Sequence, residues 1–133
     1  MAMLGTLPLL SGLADRLVFF PEQTLGEAPE RYTDRTDPVW LERPDDARIH
    51  GLWFSAGDGA PPAQVVLYFH GNAGSLASWG EVAASLRTDR RAVFIIDYRG
   101  FGKSRGDRSE PARFGDAVAA FDYVRGRAPG VPV

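Results

Sequence analysis

Two short apolar runs, each ending in a glycine-bearing turn and separated by one helix's worth of sequence, set what this chain can fold into. Gln64-Val65-Val66-Leu67-Tyr68-Phe69 stops at His70-Gly71-Asn72-Ala73-Gly74, and Ala92-Val93-Phe94-Ile95-Ile96 stops at Asp97-Tyr98-Arg99-Gly100-Phe101-Gly102-Lys103-Ser104. Nearly unbroken apolar runs of this length are the pattern of strands covered on both faces, and only backbone-permissive residues make such turns. Joined through a helix, they predict a parallel βαβ crossover with both turns at the carboxyl ends of the strands. Ligand chemistry in open α/β sheets gathers at that end.

The flanking segments read in the same terms. Pro38-Val39-Trp40-Leu41-Glu42 and Arg48-Ile49-His50-Gly51-Leu52-Trp53-Phe54 surround Pro44-Asp45-Asp46, which predicts an antiparallel hairpin. Alternation places Ile49, Gly51 and Trp53 on one face of the second strand and His50, Leu52 and Phe54 on the other. His50, among large apolar neighbours, reads as structural. Glu22 to Thr36 is polar and reads as a loop, and Gly57 to Pro62 as a flexible break. Leu76, Trp79, Val82, Ala83 and Leu86 recur at helical spacing behind a cap at Ser75 or Ser78, a core stripe rather than a cofactor box. Ser109-Glu110-Pro111 opens a second helix, with Phe114, Ala117, Val118, Phe121 and Val124 as its apolar stripe. Pro129-Gly130 ends it, and Val131-Pro132-Val133 looks like the start of a further strand.

Composition narrows the function classes. With 133 residues, 44% hydrophobic and 24% charged, the chain suits one small domain with a core. A net charge of −2 with scattered Lys and Arg gives no reason to expect nucleic acid. The absence of cysteine removes disulfides, thiolate metal sites and a cysteine nucleophile, and two histidines argue against a histidine-rich metal site. Neither a metal nor an organic cofactor is expected. Met1 to Leu13 is apolar and uncharged but too short to span a membrane, and it lacks the basic region of a signal peptide. Residues 1–20 are therefore taken as an apolar segment that lies on the domain or on a membrane surface, or as the remnant of an anchor, and 21–133 as the domain. Cytoplasmic and membrane-associated placement both stay open.

Three stretches resemble chemical motifs. His70 to Gly74, between a buried strand and a helix, suits backbone amides aimed at a developing negative oxygen, with His70 fixing the turn rather than acting as a base. An ordinary strand-to-helix turn is the plainer alternative. Gly102-Lys103-Ser104-Arg105-Gly106 satisfies Gly-x-Ser-x-Gly, but a nucleophile elbow needs its serine directly between strand and helix. Ser104 lies seven positions beyond Asp97, so it is not expected to be a nucleophile. Gly100-Phe101-Gly102-Lys103-Ser104 imitates the end of a phosphate loop, yet Asp97 stands where that motif needs glycine and no helix follows at once. Asp97 itself, at a strand end, reads first as a loop-fixing acceptor.

Taken together, Phe19-Phe20-Pro21, the hairpin, His70 to Gly74 and Asp97 to Ser104 resemble the N-terminal half of an α/β-hydrolase, nearest to its serine-aminopeptidase-like and prolyl-oligopeptidase-like branch. The resemblance implies an α/β-hydrolase fold built from an N-terminal hairpin, a parallel βαβ unit and a further helix. It implies an oxyanion-hole amide from the first loop, mapped onto Asn72 with Ala73 as the neighbouring candidate, and Arg99 to Ser104 shaping the edge of the site. It also places the nucleophilic serine, the acid and the histidine after Val133. None of His50, His70, Asp97 and Ser104 then inherits a triad role, and these residues alone are expected to be inactive. The partner would be a small-molecule or peptide acyl substrate of a longer protein. The rival expectation is a noncatalytic binding or scaffold module that pairs through an open sheet edge.

Overall fold

Period-two alternation in the apolar runs produces a sheet whose two faces are both covered. The computed structural model describes residues 20–21, 32–57 and 59–133. Its strands are β1 (Phe20–Pro21), β2 (Thr36–Glu42), β3 (Arg48–Phe54), β4 (Gln64–Phe69), β5 (Ala73–Gly74) and β6 (Arg91–Ile96), with helices α1 (Leu76–Ser85) and α2 (Glu110–Arg127). The main sheet runs β2-β3-β6-β4, and β1 pairs with β5 apart from it. As expected, β2 and β3 form an antiparallel hairpin, and β4 and β6 are parallel through α1, in register from Gln64↔Arg91 to Phe69↔Ile96. Asp46, at φ 57°, closes the hairpin turn.

Each strand sends alternate side chains to opposite layers. Ile49, Trp53, Phe94 and Ile96 pack with Ala120 and Val124 of α2, whereas Leu52, Phe54, Val93 and Ile95 pack with Leu76 and Ala83 of α1. A fully buried side chain of this size contributes about 1.5–3 kcal/mol by leaving water, so these two layers dominate the stability of the domain. The hairpin alternation is as expected, with His50 buried beneath Trp40 at a ring separation of 4.6 Å. Ser75 caps α1 in a reciprocal capping box with Ser78, so both candidate cap residues take part.

The helix stripes match expectation in part: Leu76, Trp79, Ala83 and Leu86, and Val124 of α2, pack into the core, but the rest differ. In α2 the buried line is Asp116, Ala120 and Val124, while Phe114, Val118 and Phe121 are 72%, 46% and 42% exposed. The more apolar stripe thus faces outward, and the Asp116 carboxylate on the inner side is bonded by two arginines, described below. In α1, Val82 is exposed and Gly80 takes an inward position against the Tyr32 ring, whose hydroxyl donates to the Leu76 and Ala77 carbonyls. The far edge of β4 meets no other strand among the described residues. Val65 N–H does donate to Pro132 O at 2.9 Å, so Val131 to Val133 lies alongside β4 without yet forming a ladder. The expected loop from Glu22 falls mostly outside the described residues, as does the apolar segment before Phe19. Among the described residues no helix is long and apolar enough to cross a membrane.

Candidate active site

At the carboxyl end of β4 the chain leaves the sheet through His70 and re-enters order at the Ser75 cap. His70 and Ser75 are buried, while Gly71, Asn72 and Ala73 between them are exposed. This turn is held by its carbonyl groups. The Tyr98 hydroxyl donates to His70 O at 2.9 Å, His70 Nδ1 lies 2.7 Å from Gly71 O, and the Trp79 indole N–H donates to Ala73 O at 2.8 Å. A carbonyl only accepts, so Nδ1 is the donor in this contact. Because a trans peptide is planar, its N–H points opposite to its C=O. Tying the Gly71 carbonyl to His70 therefore turns the Asn72 amide away from the imidazole.

The His70 ring is packed among Trp79, Tyr98 and Phe101, with ring separations of 6.3, 4.6 and 5.5 Å. Its Nε2 approaches Asp97 Oδ1 to 3.2 Å but outside hydrogen-bond geometry, so this is a close electrostatic contact and not a donated bond. Asp97, at the end of β6, accepts the Leu76 amide at 2.9 Å and is 1% exposed. It pins the start of α1, the loop-fixing role expected of it. Gly102, at φ 47°, lies against the same carboxylate, and a Cβ there would collide with Oδ2. Burial holds the Tyr98 hydroxyl above its usual pKa, with Tyr68 adding to the effect, so it remains a donor to the turn at neutral pH.

The loop after β6 is stitched to the hairpin. Ser104 Oγ donates to Asp97 O and accepts from His50 N–H, both at 2.8 Å, and the side chain is buried. Arg105 then exchanges backbone bonds with Arg48. A serine with its proton and acceptor both engaged, and with α2 starting only at Glu110, has no nucleophile's geometry. Nor does a helix follow Lys103 as a phosphate loop requires. Ser104→Ala is expected to cost about 1–3 kcal/mol, because it leaves the buried His50 amide without its acceptor. A thermal melt of the variant against wild type would show the loss.

Sequence reasoning missed the charged cluster behind this loop. Arg99 donates from Nε to Asp116 Oδ2 at 2.5 Å and from Nη2 to Asp116 Oδ1 at 2.8 Å, and it also binds both oxygens of Asp45. Arg43 adds its own bond to Asp116 Oδ1 at 3.0 Å. The expected site-edge segment is thereby fastened to α2 and to the hairpin turn at once. A single aspartate inside a helix gives no sign of burial in sequence, although an arginine right after a strand end was a usable hint. The Arg99 hydrogen bond holds the Asp45 carboxyl below its usual pKa. With the folded value depressed, the stabilisation is present above the unfolded value of about 3.9 and is lost as pH falls through the folded one. The gap in urea midpoint between wild type and Asp45→Ala is thus expected to stay level at neutral pH and to close in acid.

Among the described residues no group of three or more His, Cys, Asp or Glu is placed to hold a metal ion. The family model for the alpha/beta hydrolase fold matches residues 64–130. The uncharacterized protein YfhR of Salmonella typhi is 30% identical over 123 residues, covering 90% of this chain and 41% of its own length. Lysophosphatidylserine lipase ABHD12 of Gallus gallus is 37% identical over 84 residues, covering 62% of this chain and 22% of the lipase. Among solved structures, the Pyrococcus furiosus esterase Pf2001 superposes with a TM-score of 0.57 at 19% identity, covering 84% of this chain and 42% of the esterase. The chain thus spans less than half the length of these relatives.

Proposed function

Since the chain belongs to the alpha/beta hydrolase fold family, we propose that it supplies the N-terminal half of a serine hydrolase that cleaves esters, amides or thioesters. The observation that carries this is the exposed turn at Asn72 and Ala73, whose flanking carbonyls are each tied back to Tyr98, His70 or Trp79. Amides so fixed stabilise a developing oxyanion without reorganising when it forms, typically by about 2.7–4 kcal/mol per donor. Serine, acid and histidine come from sequence after Val133, in the order the serine-aminopeptidase-like branch uses. The relative named as a lipase favours an acyl ester among the three substrate classes. In this reading residues 1–20 form the apolar segment that touches a membrane surface, and 21–133 the half-domain.

A short p-nitrophenyl ester tests it. The complete gene product should hydrolyse the ester and lose that activity when the serine of its strand-to-helix elbow is replaced, while residues 1–133 alone stay inactive. Turnover that survives loss of the elbow serine would sink the triad mechanism. A second reading, favoured by the far edge of β4, is a noncatalytic module that recruits a partner strand. A stable, monodisperse monomer with no reaction toward a fluorophosphonate and strand-dependent capture of an extended peptide would support it instead.

A further inference from the structure

Side chains clamp the peptide planes that follow His70, Gly71 and Ala73, and the plane between Asn72 and Ala73 carries the Ala73 amide. The segment lying against it is β1. Phe20 pairs with Ala73 and Pro21 with Gly74, in parallel. In a parallel ladder the bonds to one neighbour come from every second residue of a strand. Pro21 has no N–H to give, which selects one of the two ways these pairs can bond. Phe20 N–H then donates to Asn72 C=O, and Gly74 N–H donates to Phe20 C=O. The Trp79 bond agrees with this, because it requires the Ala73 carbonyl to face away from β1.

We infer that Phe20–Pro21 is a positioning strap for the oxyanion turn, holding the Asn72 carbonyl so that the Ala73 amide is aimed away from β1 as an oxyanion donor of this turn beside Asn72. The inference rests on the serine-hydrolase reading of this turn for its catalytic meaning, but not for its geometry. Pro21 sets the register, since its missing N–H forbids the alternative. Gly74, at φ 82°, lets the chain leave the strap and enter α1, and a Cβ there would meet the Ser78 hydroxyl and the Trp79 indole. The strap ties the segment before the domain to the group that polarises the substrate carbonyl. A pull on that segment would act on the turnover step rather than on substrate binding.

The test compares Phe20→Pro, which removes the strap's donor, with Phe20→Ala, which keeps it, in the complete gene product. Two readouts are taken: kcat and KM for p-nitrophenyl butyrate, and residue-resolved amide hydrogen exchange of the turn. Expected is a kcat for Phe20→Pro about tenfold or more below that of Phe20→Ala, with KM shifted by less than about threefold. The Gly74 amide should exchange markedly faster in Phe20→Pro, and in wild type it should be better protected than the Ala73 amide. Equal kcat and equal Gly74 exchange in the two variants would overturn the strap. So would a wild-type Gly74 amide no better protected than Ala73, a comparison that needs no variant to fold. If no form hydrolyses the ester while Gly74 exchange still separates the variants, the hydrolase reading fails and the strap stands as structure.

Discussion

Asp116→Ala is expected to destabilise the complete protein by about 3–5 kcal/mol, more than any single truncation of a surface charge. The carboxylate is 1% exposed and takes three hydrogen bonds, two from Arg99 and one from Arg43. Removing it leaves the buried Arg99 guanidinium with the half-exposed Asp45 as its remaining carboxylate partner and takes away the acceptor of Arg43. An under-compensated buried charge is the costly outcome; the intact pair adds far less, because desolvation offsets most of its attraction. The exposed Arg48–Glu42 pair, with side chains 53% and 69% accessible, gives the contrast. Glu42→Ala should change stability by no more than about 1 kcal/mol. Urea or thermal unfolding measures both, with a melting temperature lowered by about 10 °C or more for Asp116→Ala. Equal small losses for the two variants would show that the cluster does not anchor α2 and the loop after β6.

The second large effect is catalytic. Asn72→Pro removes the backbone N–H that the Gly71–His70 bond orients and is expected to lower kcat about 10²- to 10³-fold in the complete protein. Asn72→Ala retains the amide and should lose less than about tenfold, since only a side chain at an exposed position changes. The contrast isolates the backbone donor from the side chain. KM should move little in either variant, because the interaction strengthens as the carbonyl oxygen gains charge. Steady-state kinetics on a p-nitrophenyl ester, with a melt to confirm folding, gives the comparison. Equal kcat values for Asn72→Pro and Asn72→Ala would remove Asn72 from the oxyanion hole.

What the sequence revealed and what it hid follow from the range of the forces involved. The hairpin, the parallel crossover and the N-terminal cap of α1 were legible because apolar runs, strand alternation and local hydrogen bonding act over a few residues. Ser104 could be set aside as a nucleophile for the same reason, since its distance from both strand and helix is a local fact. The orientation of α2 was not legible. Phe114, Val118 and Phe121 form the more apolar stripe, yet the inner side carries Asp116, Ala120 and Val124, and the partners of that carboxylate are arginines from two distant loops. The clamps on the turn after β4 were partly legible: His70 was expected to fix the turn, while the Trp79 bond to Ala73 and the hydroxyl of Tyr98 depend on side chains meeting across α1 and β6. The Phe20–Pro21 pairing with Ala73–Gly74 spans more than fifty residues and leaves only the apolar dipeptide as its trace.

The most direct test of the central claim is a fluorophosphonate reaction on the complete gene product and, in parallel, on residues 1–133 expressed alone, each followed by intact mass and peptide mapping. The account predicts one adduct on the complete protein, at a serine after Val133, and none on the shorter chain. An adduct at Ser104, or a folded complete protein that takes no label at all, would contradict it.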